Sequence, residues 1–110
     1  MGTRRTHDII DLVNAAQDRL IAARLRRNPV VLRLARENLR RWAAFDGRHV
    51  RPVFREWHAV LHRLNARQIA DFLCSDTPMA RRLRQSSPFA GVLSGTERQS
   101  IRRHYEEARA

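Results

Sequence analysis

Apolar side chains recur at intervals of three and four residues along most of the chain, which is the period of an amphipathic helix. The residues from Ile9 to Ala23 follow this spacing and predict a first helix from His7 to about Arg27. Asn28-Pro29 comes next. Asn can cap a helix, and Pro fits the first helical position because no backbone N–H is needed there. The pattern therefore predicts a second helix that begins directly after Asn28.

The second and third helices carry the clearest apolar stripes. The second is predicted to end near Phe45, before the turn signal Asp46-Gly47. Its stripe consists of Leu32, Ala35, Leu39 and Trp42. Pro52 opens the third helix, which has the strongest apolar face of the chain, formed by Val53, Phe54, Trp57, Val60, Leu61 and Leu64. These two helices are expected to supply much of the core.

Shorter helices follow, and each has a recognisable start. Asn65 with Gln68 three residues later resembles a capping box and predicts a fourth helix. Thr77-Pro78 repeats the cap-then-proline pattern before a short fifth helix, Met79 to Gln85. A last helix is predicted from Ser94, with Glu97 completing its cap.

No segment alternates apolar and polar residues as a half-buried strand does. We therefore expect an all-α fold, a compact single-domain bundle of five to six helices formed by residues 1–110. The length is that of one domain. The expected core comprises Leu20, Leu39, Trp42, Trp57, Leu61, Leu64, Phe72 and Leu83.

The net charge of the chain indicates which partners it can attract. The 110 residues carry 22 basic and 11 acidic side chains, a net charge of +11, and every basic residue is Arg. Codon usage in a GC-rich genome favours Arg over Lys, but the physical consequence is a surface that attracts nucleic acid or acidic proteins. The apolar content of 43% excludes a fully disordered chain. No membrane span or signal peptide is evident, so we expect no membrane association.

The sequence contains little that indicates a catalytic or metal-binding site. The only cysteine, Cys74, excludes an internal disulfide and is expected to be buried and inert; it also favours a bacterial-type cytoplasmic protein. His58 and His62 are spaced to share a metal, but Ala59 replaces the Glu of the zincin motif, so we expect two half-exposed His beside the apolar stripe. The protein is therefore predicted not to be an enzyme, with no catalytic residues, metal or cofactor.

Rows of Arg point to nucleic acid as one partner. Arg33, Arg36 and Arg40 share the face of the second helix opposite its apolar stripe, with Arg41 near the edge of that face. If neighbouring helices align their basic faces, the rows join into one phosphate-binding stripe. The candidate nucleic-acid-binding residues are Arg26, Arg27, Arg33, Arg36, Arg40, Arg41, Arg81, Arg82 and Arg84. The alternative is a solvated charged face.

The segment from Gln85 to Leu93 is small and apolar outside a clear helix. We favour a lid that tucks Phe89, Val92 and Leu93 into the bundle, because monomers rarely expose apolar patches. The alternative is a partner-docking element. Its candidate partner-binding residues are Gln85, Ser87, Pro88 and Phe89.

This region also carries a family resemblance. The residues from Arg81 to Ser94 read RRLRQSSPFAGVLS and are followed by Glu97-Arg98 and Ile101. The stretch resembles the C-terminal part of small bacterial proteins encoded in pairs with a toxin gene. The resemblance implies an antitoxin-like protein that binds and silences a cognate toxin and can also bind its own operator DNA. It carries over no functional residue.

Two functions therefore remain open. The first is partner binding, with a cognate toxin or another acidic protein as the partner. The second is a basic helical module that binds DNA or RNA through its Arg face. The sequence leaves the oligomeric state open.

Overall fold

A computed structural model describes the backbone of residues 2–109 and the side chains of residues 8–108. Over this range the chain forms six helices and no strand, which confirms the all-α single-domain bundle. They are α1 (Gly2–Arg27), α2 (Val31–Asp46), α3 (Pro52–Arg63), α4 (Ala66–Leu73), α5 (Pro78–Arg84) and α6 (Gly95–Arg109). The first and last residues of the predicted domain, 1 and 110, lie outside the described range.

The predicted caps account for the starts of the later helices. In α4 the Asn65 side chain accepts from the Gln68 backbone N–H at 2.9 Å, and the Gln68 side chain accepts from the Asn65 N–H at 3.0 Å. The same reciprocal pair joins Ser94 and Glu97 at the start of α6, at 3.1 and 3.0 Å. Thr77 caps α5. Each cap satisfies N–H groups that have no partner inside the helix.

The first helix boundary differs from the prediction. α1 begins at Gly2, before the predicted His7, and α2 begins at Val31 rather than directly after Asn28. The Asn28 side chain accepts from the Val30 N–H at 3.2 Å, so it closes a turn instead of capping the helix. The cause is local competition, because an Asn side chain offers the backbone an alternative to the helical ladder.

The core is centred on α3. Trp57 is fully buried, and its indole Nε1 donates to the Leu83 carbonyl at 2.7 Å, which ties α3 to α5. Phe72 and Phe89 meet the Trp57 ring edge-on. Of the predicted core, Leu39, Trp57, Leu61 and Leu83 are buried, whereas Leu20, Trp42, Leu64 and Phe72 pack around it and are only partly buried. Half of the predicted core was therefore placed too deep.

The segment after α5 is a lid, as the favoured interpretation predicts. Phe89 is 1% exposed, and Pro88 and Leu93 are also buried. Asn38 of α2, itself buried, donates to the carbonyls of Pro88 and Ala90 at 2.9 and 2.8 Å and so holds the lid against the bundle.

α1 lies against both α4 and α6. Arg24 of α1 forms a two-point ion pair with Glu97 at the start of α6 and also donates to the Val92 carbonyl. The Arg24 hydrogen bonds, together with the Ser94 backbone N–H, lower the pKa of Glu97 to about 2. The pair fixes α6 and the end of the lid on α1.

Candidate binding groove

A groove of about 790 Å³ runs between α2 and α3 on the surface of the bundle. Its apolar floor is formed by Leu39, Ala43, Val50, Phe54 and Leu61. Its rims are basic and consist of Arg36, Arg40, Arg48, Arg55, His58 and His62. The volume falls within the range of ligand sites in proteins, about 300–1,000 Å³.

Helix geometry places the two kinds of residue at different depths. The residues that face the core, Leu39 on α2 and Phe54 and Leu61 on α3, are buried. The neighbouring Arg36 and Arg40 are exposed and border the groove from outside. Residues three and four apart lie on one side of a helix, so each helix supplies both floor and rim from a single side.

The floor is held in place by aromatic packing. The rings of Trp42 and Phe54 lie 5.5 Å apart between α2 and α3. The Arg51 guanidinium covers the Phe54 ring at 5.0 Å from its centre, and Arg51 also pairs with Asp46 at 3.2 Å. The packing fixes the spacing of α2 and α3 before any ligand arrives.

The groove is positively charged, with no carboxylate among its lining residues. Two of the three acids on α2 and α3 are committed elsewhere: Asp46 to Arg51, and Glu56 to Arg82 of α5 at 2.5 Å. The Arg82 hydrogen bond also lowers the pKa of Glu56. Glu37 is exposed but does not line the groove. An anionic ligand therefore meets positive rims with no neighbouring carboxylate along the walls.

The structure divides the predicted nucleic-acid-binding residues into two groups. Four of them form ion pairs within the protein: Arg26 with Asp71, Arg81 with Asp76, Arg82 with Glu56, and Arg84 with Asp18. Arg41 donates to the buried Asn38 side chain. Among residues 8–108, the remaining four have no ion pair and are exposed: Arg27, Arg33, Arg36 and Arg40. The α5 part of the predicted stripe is thus partly neutralised, whereas the α2 part is open.

The predicted partner-binding residues are divided as well. Pro88 and Phe89 are buried in the folded protein. Gln85 is exposed and Ser87 half-buried, and both line a second, polar cleft of about 750 Å³ between α1, the lid and α6.

This second cleft contains an ion pair with low exposure. Asp18 of α1 lies 3.5 Å from the Arg84 guanidinium, which also donates to the Ser75 carbonyl. Burial raises the pKa of Asp18 to about 6, and the charge of Arg84 offsets part of that effect. Because both carboxylates and guanidinium groups line this cleft, it lacks the single sign of charge seen in the α2–α3 groove.

The remaining candidate residues have simple placements. His58 and His62 are exposed on the groove rim with their rings stacked, 6.3 Å between centres, so they are more exposed than predicted. Cys74 is exposed at the end of α4; the prediction that it is buried was wrong, because the helix ends there and turns the residue outward.

Two absences hold for the described part of the chain. It contains no cluster of three or more His, Cys, Asp or Glu side chains that could hold a metal ion. None of its helices combines the length and the apolar content needed to cross a bilayer.

Sequence reasoning missed the groove because its residues were assigned to separate features. The sequence pattern predicts Arg36 and Arg40 on the face of the second helix opposite its apolar stripe, whereas in the structure they border the groove beside Leu39. It predicts His58 and His62 only as half-exposed residues and assigns no role to Arg48 and Arg55. The available signal was that α2 and α3 both place basic residues beside an apolar stripe. Packing these two stripes together necessarily brings the two basic edges to one surface.

Comparison of the chain with family models, with curated proteins and with solved structures gave no match.

Proposed function

We propose that this protein is a non-catalytic binding protein whose partner is an acidic protein, recognised in the α2–α3 groove. In the antitoxin-like interpretation, the partner is the cognate toxin and binding silences it in the cytoplasm. The observation that carries the proposal is the groove itself, with an apolar floor, four Arg and two His on its rims and no carboxylate in its lining. Buried apolar contacts supply most interface energy, and complementary charge supplies encounter rate and specificity.

The test is co-purification of the tagged full chain with the product of an adjacent gene after nuclease treatment. The matched variants are Arg36→Gln with Arg40→Gln in the groove, and Arg102→Gln with Arg103→Gln on α6. Both pairs are exposed, and both remove two positive charges from a helix while keeping helix propensity. We expect the groove variant to lose the partner and the α6 variant to keep it. Equal retention by both variants contradicts the proposal.

Nucleic-acid binding is the second candidate function. It is favoured by the open row Arg33, Arg36 and Arg40 on α2, whose charges no described acid neutralises. Arg33 separates the two functions, because it belongs to the row but does not line the groove. Of the three residues in this row, a protein partner in the groove therefore depends on Arg36 and Arg40, whereas phosphate binding along α2 depends on all three.

A further inference from the structure

Both walls of the groove repeat with the period of a helix. The groove residues of α2 run from Arg36 to Ala43, and those of α3 run from Phe54 to His62. These segments of eight and nine residues each span about 10–12 Å, or two turns, so the walls are of similar length. An occupant with apolar side chains one turn apart meets the floor at matching intervals.

The charges are distributed along the groove rather than gathered at one end. Arg36 and Arg40 border it on α2, Arg55 borders it on α3, and Arg48 lies in the connection between the two helices. A small amphiphile with one anionic head needs its cations at a single end. Cations along both rims suit a polymer that carries several negative charges.

The floor favours protein over nucleic acid as that polymer. Binding of single-stranded nucleic acid depends on exposed aromatic rings on which bases stack. The one aromatic residue of the floor, Phe54, is 6% exposed and is covered by Trp42 and Arg51. The other floor residues are aliphatic, and they suit Leu-like or Met-like side chains.

The absence of a sheet edge favours a helix over an extended peptide. An extended peptide cannot bind here by adding a strand to a sheet, because residues 2–109 of this chain contain no strand. A helix satisfies its own backbone hydrogen bonds, so it can lie on an apolar floor without losing them. Two packed helices already provide the ridges against which a third helix can pack.

We propose that the α2–α3 groove binds an amphipathic α-helix of the partner. Its apolar side chains at i, i+3 or i+4 and i+7 lie on the half-buried Ala43 and Val50 and on the remaining exposed edges of the floor between them, and its carboxylates on either side pair with the rims. This inference rests on the proposed function and specifies the form of the segment that is recognised.

The experiment measures fluorescence anisotropy of labelled synthetic peptides with the full-length protein. The probe is a peptide of about 15 residues with Leu at i, i+4 and i+7 and Glu on both flanks, held helical by an i, i+4 lactam. One comparison peptide has the same sequence except for a Pro at a central position that does not hold Leu. A second replaces every Glu with Lys. The protein variants are the groove pair Arg36→Gln with Arg40→Gln and the α6 pair Arg102→Gln with Arg103→Gln.

We expect the acidic helical peptide to bind and the Lys peptide not to bind. Proline should weaken binding at least about tenfold, because it breaks the helix. The groove pair should weaken it about 2- to 30-fold, as expected for two exposed charge contacts, and the α6 pair less than twofold.

Three results would overturn the inference. Equal binding of the Pro and lactam peptides means that the occupant is not a helix. Equal weakening by the two variant pairs means general charge attraction without a groove. Preferential binding of a duplex or single-stranded oligonucleotide at the groove residues assigns the surface to nucleic acid. The proposed function has its own test: it fails when a native protein partner binds the Arg36→Gln, Arg40→Gln variant as tightly as it binds the wild type.

Discussion

The Asn38 side-chain amide donates to the backbone carbonyl of Pro88 at 2.9 Å, and through this bond α2 holds the lid that follows α5. Asn38 is 4% exposed and is the one buried polar residue of the described core. Its second amide hydrogen bond goes to Ala90, and its oxygen accepts from Arg41. All of its hydrogen-bonding groups therefore have partners, which is what makes its burial tolerable.

Asn38→Ala is expected to destabilise the protein by about 2–4 kcal/mol, because two lid carbonyls lose their donor in a buried setting. The measurement is urea unfolding of both proteins followed by far-ultraviolet circular dichroism. Asn14→Ala on the exposed surface of α1 is the matched control and should change stability by less than about 0.5 kcal/mol. Equal stability of the Asn38 variant and the wild type would show that the lid is held by apolar packing alone.

Trp57 allows packing and hydrogen bonding to be separated. Trp57→Phe keeps a buried ring but removes the donor to the Leu83 carbonyl, and should cost about 1–3 kcal/mol. Trp57→Ala also opens a cavity in the centre of the core and should cost about 3–5 kcal/mol, a large share of the stability of a domain this small. Both values come from unfolding curves. Identical curves for the two variants would show that loss of the ring adds nothing to loss of the hydrogen bond.

The sequence predicted the helices and their caps because those signals are local. A cap such as Asn65 with Gln68, or Ser94 with Glu97, involves residues three positions apart and needs no knowledge of the fold. The depth of burial was predicted less well. Periodicity identifies the apolar side of a helix but not how far along that side the neighbouring helices reach, so Trp42 at the end of α2 was placed too deep.

The candidate site was harder to predict because its parts are distant in sequence. Asn38 looked like an ordinary polar residue on α2, since its partners lie 50 and 52 positions further on. Likewise the sequence predicts Arg82 as a phosphate-binding residue, whereas in the structure it pairs with Glu56 of α3. Net charge is readable from the sequence, but which charges are already neutralised depends on tertiary packing.

Asp18 should make stability depend on pH. Its folded pKa of about 6 lies above the ordinary value of 3.8 for an exposed Asp, so the folded protein binds the proton more tightly than the unfolded chain. Stability therefore falls as pH rises between these values, by about 3 kcal/mol at most, and the full cost is present above pH 6. Glu97 acts in the opposite direction: its contribution is present above pH 4.5 and is lost as pH falls towards 2.

The measurement is the unfolding free energy of Asp18→Asn and the wild type from pH 4 to pH 7. Because Glu97 is common to both proteins, its effect cancels in the difference. We expect the variant to match the wild type near pH 4 and to be more stable by pH 7. A difference that stays constant across this range would show that the Asp18 carboxylate is not destabilised by burial.

The lid gives a prediction about the segment that resembles antitoxin-like proteins. Phe89→Ala should destabilise the fold by about 3–5 kcal/mol, because the side chain is buried beside Trp57. Any loss of partner binding in that variant should be proportional to the fraction of protein that is unfolded.

Gln85→Ala leaves the fold intact and tests the exposed part of the segment. We expect it to bind the partner normally, measured by titration calorimetry; loss of binding by folded Gln85→Ala would move the docking site from the groove to the lid.

The final prediction concerns Arg33, which distinguishes phosphate binding from partner binding. If the α2 row contacts phosphates, Arg33→Gln should reduce the log–log salt slope of duplex DNA binding by about 0.9, and the Arg33, Arg36 and Arg40 triple variant by about 2.7. Arg81→Gln is the control, because Arg81 is paired with Asp76 at 2.6 Å and contributes little free charge. Slopes come from fluorescence titrations at several salt concentrations.

Protein-partner binding should be unaffected by Arg33→Gln, since Arg33 does not line the groove. A salt slope that the triple variant leaves unchanged would show that the α2 row does not bind phosphate and is either a solvated charged face or a protein-docking surface.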